Sequence, residues 1–436
     1  MSIISRREFI KTTSISLIAA PNIISRSAFG QISANDRITL GCIGLGGQGI
    51  YDMKALMNVP GTQVVAICDV DIKHLMDGKN VVEEFYRTNK PSGTFRGCDI
   101  YRDFRKLLAR NDIDAVLIAT PDHWHGLMAV EAAKSGKDIY CEKPLAYSVV
   151  EGRAIVNAVN RYKRILQTGT QRRSAEHCKR ACELVLNGRI GNLHTIRVGL
   201  PGEFYVMGGY SGYQSPMSVP DGFDYDMWLG PAPWVPYTEG RCHFNFRWIL
   251  DYGEGYISDW GAHYLDVAQW GHGTDTRCPV MITGSAGYPK EGLYDAPNSF
   301  DIEYFYDDGI RMICSTNEEK GMKFEGDEGW IHVEKPGEPF VIAEPASILD
   351  SFIKPDEIHL PTSSGHHSNF IECVRSRKQT VAPVEIGHTS ATICHLGMIS
   401  AILSKKLEWD SESEKFVNDS EADKMLERPM REPWFI

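Results

Sequence analysis

Gly44-Leu45-Gly46-Gly47-Gln48-Gly49 follows the apolar run Ile38-Thr39-Leu40-Gly41-Cys42-Ile43 and leads into Ile50-Tyr51-Asp52-Met53-Lys54-Ala55-Leu56, a stretch of helical character. A second apolar run, Val64-Val65-Ala66-Ile67-Cys68, ends in Asp69. The order is strand, glycine turn, helix, strand and acid. Glycines allow the tight turn and let backbone N–H groups approach a pyrophosphate, which the positive end of the following helix also attracts. Asp69 stands about 20 residues after the last glycine, where an acid accepts hydrogen bonds from an adenosine ribose. Gly44, Gly46, Gly47, Gln48, Gly49 and Asp69 are therefore expected to hold a dinucleotide. A carboxylate at this position repels a 2′-phosphate and favours NAD over NADP, although Lys73 and His74 are near enough to soften that preference.

Outward from this unit, strands alternate with helices. The continuous apolar run Asp114–Thr120 reads as a buried parallel strand, with a helix expected at Gly126–Ser135. Asp138–Cys141, a helix over Val149–Tyr162 and a strand over Ile165–Thr168 follow. This pattern predicts an α/β fold with a doubly wound parallel sheet, a Rossmann domain, over residues 36–170. From 171 to 436 the texture changes: a helix over Ala175–Asn187, a strand over Leu193–Leu200, then a loop over Pro201–Gly240 rich in Gly, Pro, Tyr and Trp. Runs at Val280–Ala286, Phe300–Tyr306, Ile310–Ser315 and Gly329–Glu334 suggest a mostly antiparallel second sheet. Helices over His367–Arg377 and His388–Lys405 precede a polar tail.

Composition bounds the function. The chain has 436 residues, 42% hydrophobic and 24% charged, enough for two cores. A formal charge of −11 without a basic stripe argues against nucleic acid as a partner. Eleven cysteines is an odd number, and several sit in apolar runs, so no disulfide framework or zinc knuckle is implied. Near the start, Ser5-Arg6-Arg7-Glu8-Phe9-Ile10-Lys11, a modestly apolar stretch and Ala28-Phe29-Gly30 resemble a twin-arginine export signal over residues 1–30. The apolar stretch is too short for a permanent membrane helix, so periplasmic or other export without stable membrane insertion is expected. An exported enzyme would hold its nicotinamide nucleotide through many turnovers, because free nucleotide is scarce outside the cytoplasm.

In open parallel sheets ligands bind beyond the carboxyl ends of strands. Thr120-Pro121-Asp122-His123-Trp124-His125 follows one strand and Glu142-Lys143-Pro144 the next. Lys143 would point at the nicotinamide end of the cofactor, although a lone lysine after a strand is commonly a surface residue. A second constellation is Asp259-Trp260-Gly261-Ala262-His263-Tyr264-Leu265-Asp266. On one helix Asp259, His263 and Asp266 share a face, and a carboxylate beside an imidazole orients it for proton transfer. A helix-start cap or a structural His–Asp pair fits these residues too, and as a metal site the ligand set is incomplete. The surrounding Phe244, Phe246, Arg247, Trp248, Tyr252 and Trp270, with Tyr205, Tyr210, Tyr213, Trp228 and Trp234 upstream, suit sugars, whose C–H faces stack on rings. Arg172, His243, Arg247 and His367 could bind hydroxyls or a carboxylate.

The glycine turn at 44–49, Glu142-Lys143-Pro144 and Asp259-x-x-x-His263 together resemble the glucose–fructose oxidoreductase / inositol dehydrogenase (Gfo/Idh/MocA) family. The resemblance implies a Rossmann domain followed by an α/β domain with a large open, mainly antiparallel sheet that often mediates homo-oligomerisation. It implies Lys143, Asp259 and His263 as the catalytic set, with His125 and Pro144 near the nicotinamide, no metal, and Thr120, Pro121 and Glu142 at the cofactor. Arg172, Arg247, Trp248, Tyr252 and His263 are the expected substrate contacts. The activity expected is hydride exchange between tightly bound NAD and a secondary hydroxyl carbon of a sugar or glycoside. The family also contains NAD-dependent glycosidases that oxidise, eliminate and reduce again. A cofactor-bound sensor without turnover is the remaining alternative. Asp69 departs from the NADP use expected of glucose–fructose oxidoreductase itself.

Overall fold

The computed structural model describes residues 37–89, 95–210 and 212–436, and the expected export signal lies outside the described residues. Six strands, β1 (Ile38–Ile43), β2 (Thr62–Cys68), β3 (Asp99–Tyr101), β4 (Ala115–Ile118), β5 (Asp138–Cys141) and β6 (Leu166–Thr168), form a sheet in the order β3-β2-β1-β4-β5-β6. Every pairing in it is parallel. Helices cover both faces. Ile43, Ala66, Phe104, Leu127 and Ile139 belong to one core, and Leu40, Cys42, Leu56, Val64 and Phe370 to the other. Burial on both sides is why β4 reads as uninterrupted Ala-Val-Leu-Ile. The chain leaves β1 toward β2 on one side and returns to β4 on the other, so a crevice opens at the carboxyl ends of β1 and β4.

The helices that serve this crevice are α1 (Gly47–Met57), α2 (Ile72–Asn89), α3 (Phe104–Leu108), α4 (Asp122–Lys134) and α5 (Val149–Tyr162). Asp103 caps α3 by accepting from Arg105 N–H, and Ser148 caps α5 by accepting from Glu151 N–H. The helix after β4 begins four residues earlier than its apolar pattern suggests, so Asp122, His123 and His125 lie in its first turn and not in a loop. All three are buried.

The second sheet has nine strands in the order β13-β12-β11-β7-β10-β9-β8-β14-β15. They are β7 (Leu193–Gly199), β8 (Met281–Gly287), β9 (Ser299–Phe305), β10 (Arg311–Ser315), β11 (Gly321–Gly326), β12 (Trp330–Val333), β13 (Val341–Glu344), β14 (Lys406–Asp410) and β15 (Lys415–Phe416). β7 and β10 run parallel and the remaining pairings are antiparallel. In β9, Phe300, Ile302 and Tyr304 are buried while Ser299 and Asp301 are exposed, the alternation of a sheet covered on one face. The covering layer is α6 (Glu176–Leu186), α7 (Gly261–His272) and α9 (Val384–Leu403), which contribute to the core under the sheet, while α8 (His366–Ser376) packs Phe370, Ile371 and Val374 into the core of the parallel sheet. α9 is apolar enough for a bilayer, yet 83% of its most apolar stretch is buried inside the protein.

Three expectations change. β14 and β15 lie in the tail that reads as polar, because they pair at the sheet edge with alternate residues exposed. The segment from Tyr256 to His272 is two helices, Tyr256–Asp259 and α7, meeting at Trp260. Asp266 does not join Asp259 and His263: its carboxylate accepts from buried Arg173 Nε at 2.9 and 2.8 Å and from the Ser390 hydroxyl at 2.6 Å. Arg173 is 1% and Asp266 0% exposed, so removing Asp266 leaves the guanidinium in the interior with Asp275, at 2.7 Å from it, to balance its charge. Asp266→Ala is expected to lower unfolding free energy by about 3–5 kcal/mol in denaturant titrations.

Candidate active site

The crevice of the first sheet opens into a cavity of 1160 Å³ that Gly44, Gly46, Gly47, Gln48, Gly49, Asp69, Thr120, Pro121, Glu142, Lys143, Asp259 and His263 all line. That exceeds the ~300–1,000 Å³ of ordinary small-molecule pockets and has room for a nucleotide and a second ligand. At one end, Gly44 has φ 84°, and a Cβ there would lie 2.5 Å from the Ala119 carbonyl oxygen. A Cβ on Gly49 would collide with the Gly44 carbonyl. These two glycines hold the turn together. Gly46 and Gly47 meet nothing within 4 Å on their Cβ side, so the space over the start of α1 is open. Asp69 is fixed by backbone: its carboxylate accepts from Leu45 N–H at 2.7 Å and Asp71 N–H at 2.9 Å. His74 Nδ1 lies 3.7 Å from it, which raises the imidazole's pKa. The turn, the open floor and the pinned acid fit the pyrophosphate and ribose of a dinucleotide.

At the other end, Lys143 follows β5 and reaches across to the junction of the two helices at Trp260. Its ammonium donates to the Asp259 carboxylate at 2.5 Å and to the Asp259 carbonyl at 3.0 Å. Arg247 Nε donates to the same carboxylate oxygen at 3.2 Å. Burial opposes the Asp259 charge, but Lys143 and Arg247 outweigh it and hold the carboxyl below its usual range. His263, one turn on, shows part of its ring to the cavity and is kept neutral by burial and by the charges of Lys143 and Arg172. Its Nδ1 is buried without a hydrogen-bond partner. Asp259 therefore orients Lys143; its carboxylate makes no hydrogen bond to His263.

Behind Lys143 lies a carboxyl pair. Burial raises the Glu142 and Asp52 carboxyls, Asp52 to about 7, and the two are hydrogen-bonded to one another. Gln171 donates to Glu142 at 2.8 Å, and His367 meets Asp52 at 2.9 Å. A proton shared by this pair lets two acids sit side by side under the cavity. His367 thus binds an internal carboxyl and not a ligand. No sequence pattern singles out Asp52, since a lone Asp in an amphipathic helix is ordinarily solvated.

The other expected contacts divide. Arg172, Arg247 and Trp248 line the cavity. Arg172 is clamped by Glu334 at 2.7 Å and stacks on Trp260 and Tyr264. Trp248 is a buried wall whose indole N–H donates to the Tyr205 carbonyl at 3.1 Å. Tyr252 is fully buried against His123 and Trp228 and does not line the cavity, a correction whose cause is the aromatic cluster formed by the long loop. His125 and Pro144 stand behind the wall: the His125 ring nitrogens meet the Pro144 carbonyl at 2.7 Å and the Thr120 carbonyl at 2.9 Å. His125 ties together the two loops that present Thr120 and Lys143. From the long loop, Glu203, Tyr205 and Met207 reach the cavity.

A dinucleotide crevice with a lysine, a carboxylate and an imidazole at its far end defines the class: an oxidoreductase built on an NAD-binding Rossmann domain. Residues 38–170 match the model described as oxidoreductase family, NAD-binding Rossmann fold, and residues 177–436 match the oxidoreductase family C-terminal alpha/beta domain. The chain belongs to the Gfo/Idh/MocA oxidoreductase family. It is 30% identical over 224 residues to a glycosyl hydrolase family 109 protein 2 of Shewanella sp. strain ANA-3, covering 47% of this chain and 45% of that protein. The uncharacterized oxidoreductase YrbE of Bacillus subtilis is 31% identical over 162 residues, 37% of this chain and 44% of YrbE. The chain thus spans about half the length of the curated relatives it matches. Among solved structures, a levoglucosan dehydrogenase in complex with NADH and levoglucosan superposes with a TM-score of 0.60 at 16% identity, over 85% of this chain and 99% of that one. An aldose–aldose oxidoreductase from Caulobacter crescentus superposes at 0.59 and 17% identity over 85% and 99%. These two share the fold.

The four glycines separate fold from binding. Gly46→Ala and Gly47→Ala should leave the melting temperature of nucleotide-free protein unchanged while weakening nucleotide binding at least tenfold by calorimetry, an effect of about 1.4 kcal/mol. Gly44→Ala and Gly49→Ala should lower the melting temperature itself.

Proposed function

We propose that this protein moves hydride between a tightly held NAD and a secondary hydroxyl or keto carbon of a sugar or glycoside. The observation that carries the reading is that Lys143 and His263, far apart in sequence, line one cavity with the glycine turn and Asp69. When bound, the nicotinamide supplies the hydride acceptor and donor. Every other step falls to the chain. Lys143, aimed by Asp259 and Arg247, hydrogen-bonds the reacting oxygen and steadies its developing charge. His263, neutral because of its burial, accepts the hydroxyl proton at a ring nitrogen and returns it in the reverse direction. Tyr205, Phe244 and Trp260 offer ring faces to a sugar at the cavity wall, and Arg172 and Arg247 offer donors to its hydroxyls. Levoglucosan, bound in one structure of the same fold, is a compact sugar of the kind this volume admits.

A second reading rests on the match to a glycosyl hydrolase family 109 protein: oxidation followed by elimination of an aglycone and return of the hydride. Export through the segment at Ser5–Lys11 and assembly with further copies of the chain through the open face of the nine-stranded sheet complete the proposal.

Lys143→Met and His263→Ala are expected to depress turnover by about two to four orders of magnitude with the nucleotide still bound, as read by reduced-nicotinamide absorbance against a panel of sugars. Wild-type turnover in either variant would remove the assignment. Denaturing the purified protein should release NAD, identified by mass spectrometry. Asp69→Ala should weaken NAD binding and narrow its margin over NADP, since the carboxylate that repels a 2′-phosphate is gone.

A further inference from the structure

The end of the cavity away from Lys143 gathers a different set of side chains. Beyond Asp69 the chain enters α2 through Asp71, and His74 stands in the first turn of that helix. His243, which follows the long loop of the second domain, meets them there, and His74 and His243 both line the cavity. A ring nitrogen of each histidine and a carboxylate oxygen of Asp71 lie within 4.8 Å of one another. Their spacing is not that of hydrogen bonds. His243 Nε2 stands 3.6 Å from Asp71 Oδ2, too far for one. Two ligands of a tetrahedral zinc ion, each ~2.0–2.1 Å from it, stand about 3.4 Å apart. Asp71 Oδ1 is taken by Lys73 N–H at 2.8 Å, which leaves Oδ2 to an ion. Asp71 N–H donates to Asp69 Oδ1 at 2.9 Å and brings two carboxylates together, while Lys73 turns its ammonium to Asp77 at 2.9 Å. A divalent cation balances such a negative centre. His243 is held at φ 55°, uncommon for a residue with a side chain and of a kind that gathers at ligand-binding positions. Two histidines and a carboxylate suit zinc and its first-row neighbours and fill three of four tetrahedral positions. A second trio, His177, Cys178 and Glu334, is already committed, because Glu334 holds Arg172 at 2.7 Å.

We propose that Asp71, His74 and His243 bind a divalent transition-metal ion of the zinc class, which clasps the second domain to the nucleotide end of the parallel sheet. Backbone already stitches the seam that the ion joins. Ile72 N–H donates to the Gly222 carbonyl at 3.1 Å, Asp224 N–H to the Val70 carbonyl at 3.0 Å, and Arg102 Nη2 to the Gly222 carbonyl at 3.0 Å. Water competes for hydrogen bonds of this kind, and metal–ligand bonds at the same seam resist it better. The remaining coordination position is open to water or to an oxygen of a bound nucleotide. Because His74 lies beside Asp69, the ion closes the seam next to the adenosine half of the dinucleotide and slows its departure. The ion site rests on these side chains alone; the slowing rests on the reading that the cavity holds NAD.

Chelator-treated protein, titrated with Zn²⁺ by calorimetry and with Co²⁺ by visible absorption, tests this without any sugar or turnover. One Zn²⁺ per chain at a micromolar Kd or tighter is expected, with the Co²⁺ bands of four- or five-coordination. His74→Ala and His243→Ala should each weaken binding at least about a hundredfold, and His177→Ala should leave it unchanged. The melting temperature in chelator reports whether each variant is folded. Release of the bound nucleotide, followed by gel filtration at intervals, should be about tenfold slower in Zn²⁺ than in chelator, and equal in the two for His243→Ala. No saturable binding at micromolar Zn²⁺, or binding that survives His243→Ala and is lost in His177→Ala, overturns the proposal. Binding at these residues with nucleotide release unchanged by Zn²⁺ overturns the clasp. A protein that carries no nucleotide, yet loses Zn²⁺ in both histidine variants, counts against the NAD reading and supports the ion site.

Discussion

The contact between Lys143 and Asp259 is the constraint on which this molecule's site depends. Lys143 belongs to the loop after β5 of the parallel sheet, and Asp259 to the end of a short helix that precedes α7 in the second domain. Two hydrogen bonds from one ammonium, to the carboxylate and to the main-chain carbonyl of the same residue, fix both the side chain and the backbone of the helix junction. His263 follows within a turn, so its distance from the lysine is set by helix geometry. The same pairing also disposes of charge. A buried lysine and a buried aspartate are each costly alone, and each removes the other's penalty.

Around that contact the polar groups divide by whether they have partners. Glu142 and Asp52 satisfy one another, His125 bridges two carbonyls, and Arg172 is held by Glu334. These groups form the frame. At the cavity, Nδ1 of His263 and Oγ1 of Thr120 are buried with no hydrogen-bond partner among the described residues. Buried polar groups left open where they face a cavity are positions at which a ligand contributes the missing bond.

Much of this could be read from the chain before any coordinates. The first sheet was legible because burial on both faces leaves uninterrupted apolar runs, and because glycine at 44–49 with an acid at 69 has few other physical uses. Lys143 and His263 were legible as strand-end and helix-face residues. The rest depended on contacts between distant segments. Nothing in the local pattern distinguishes Asp266 from Asp259, since both sit at helical spacing from His263; the choice was made by Arg173, some ninety positions upstream. Tyr252 was indistinguishable from Trp248 for the same reason, as aromatic composition does not say which ring faces a cavity. β14 and β15 escaped notice because edge strands need few apolar residues.

Those edge strands have a consequence of their own. The broad sheet ends on one side in β15, a ladder of two residues, and on the other in β13, of four. A wide sheet with long bare margins would invite sideways growth by strands from other molecules, the route to insoluble ribbons. Here the margins are too brief to template a newcomer, so the flat face stays available for orderly packing while the rims resist uncontrolled polymerisation.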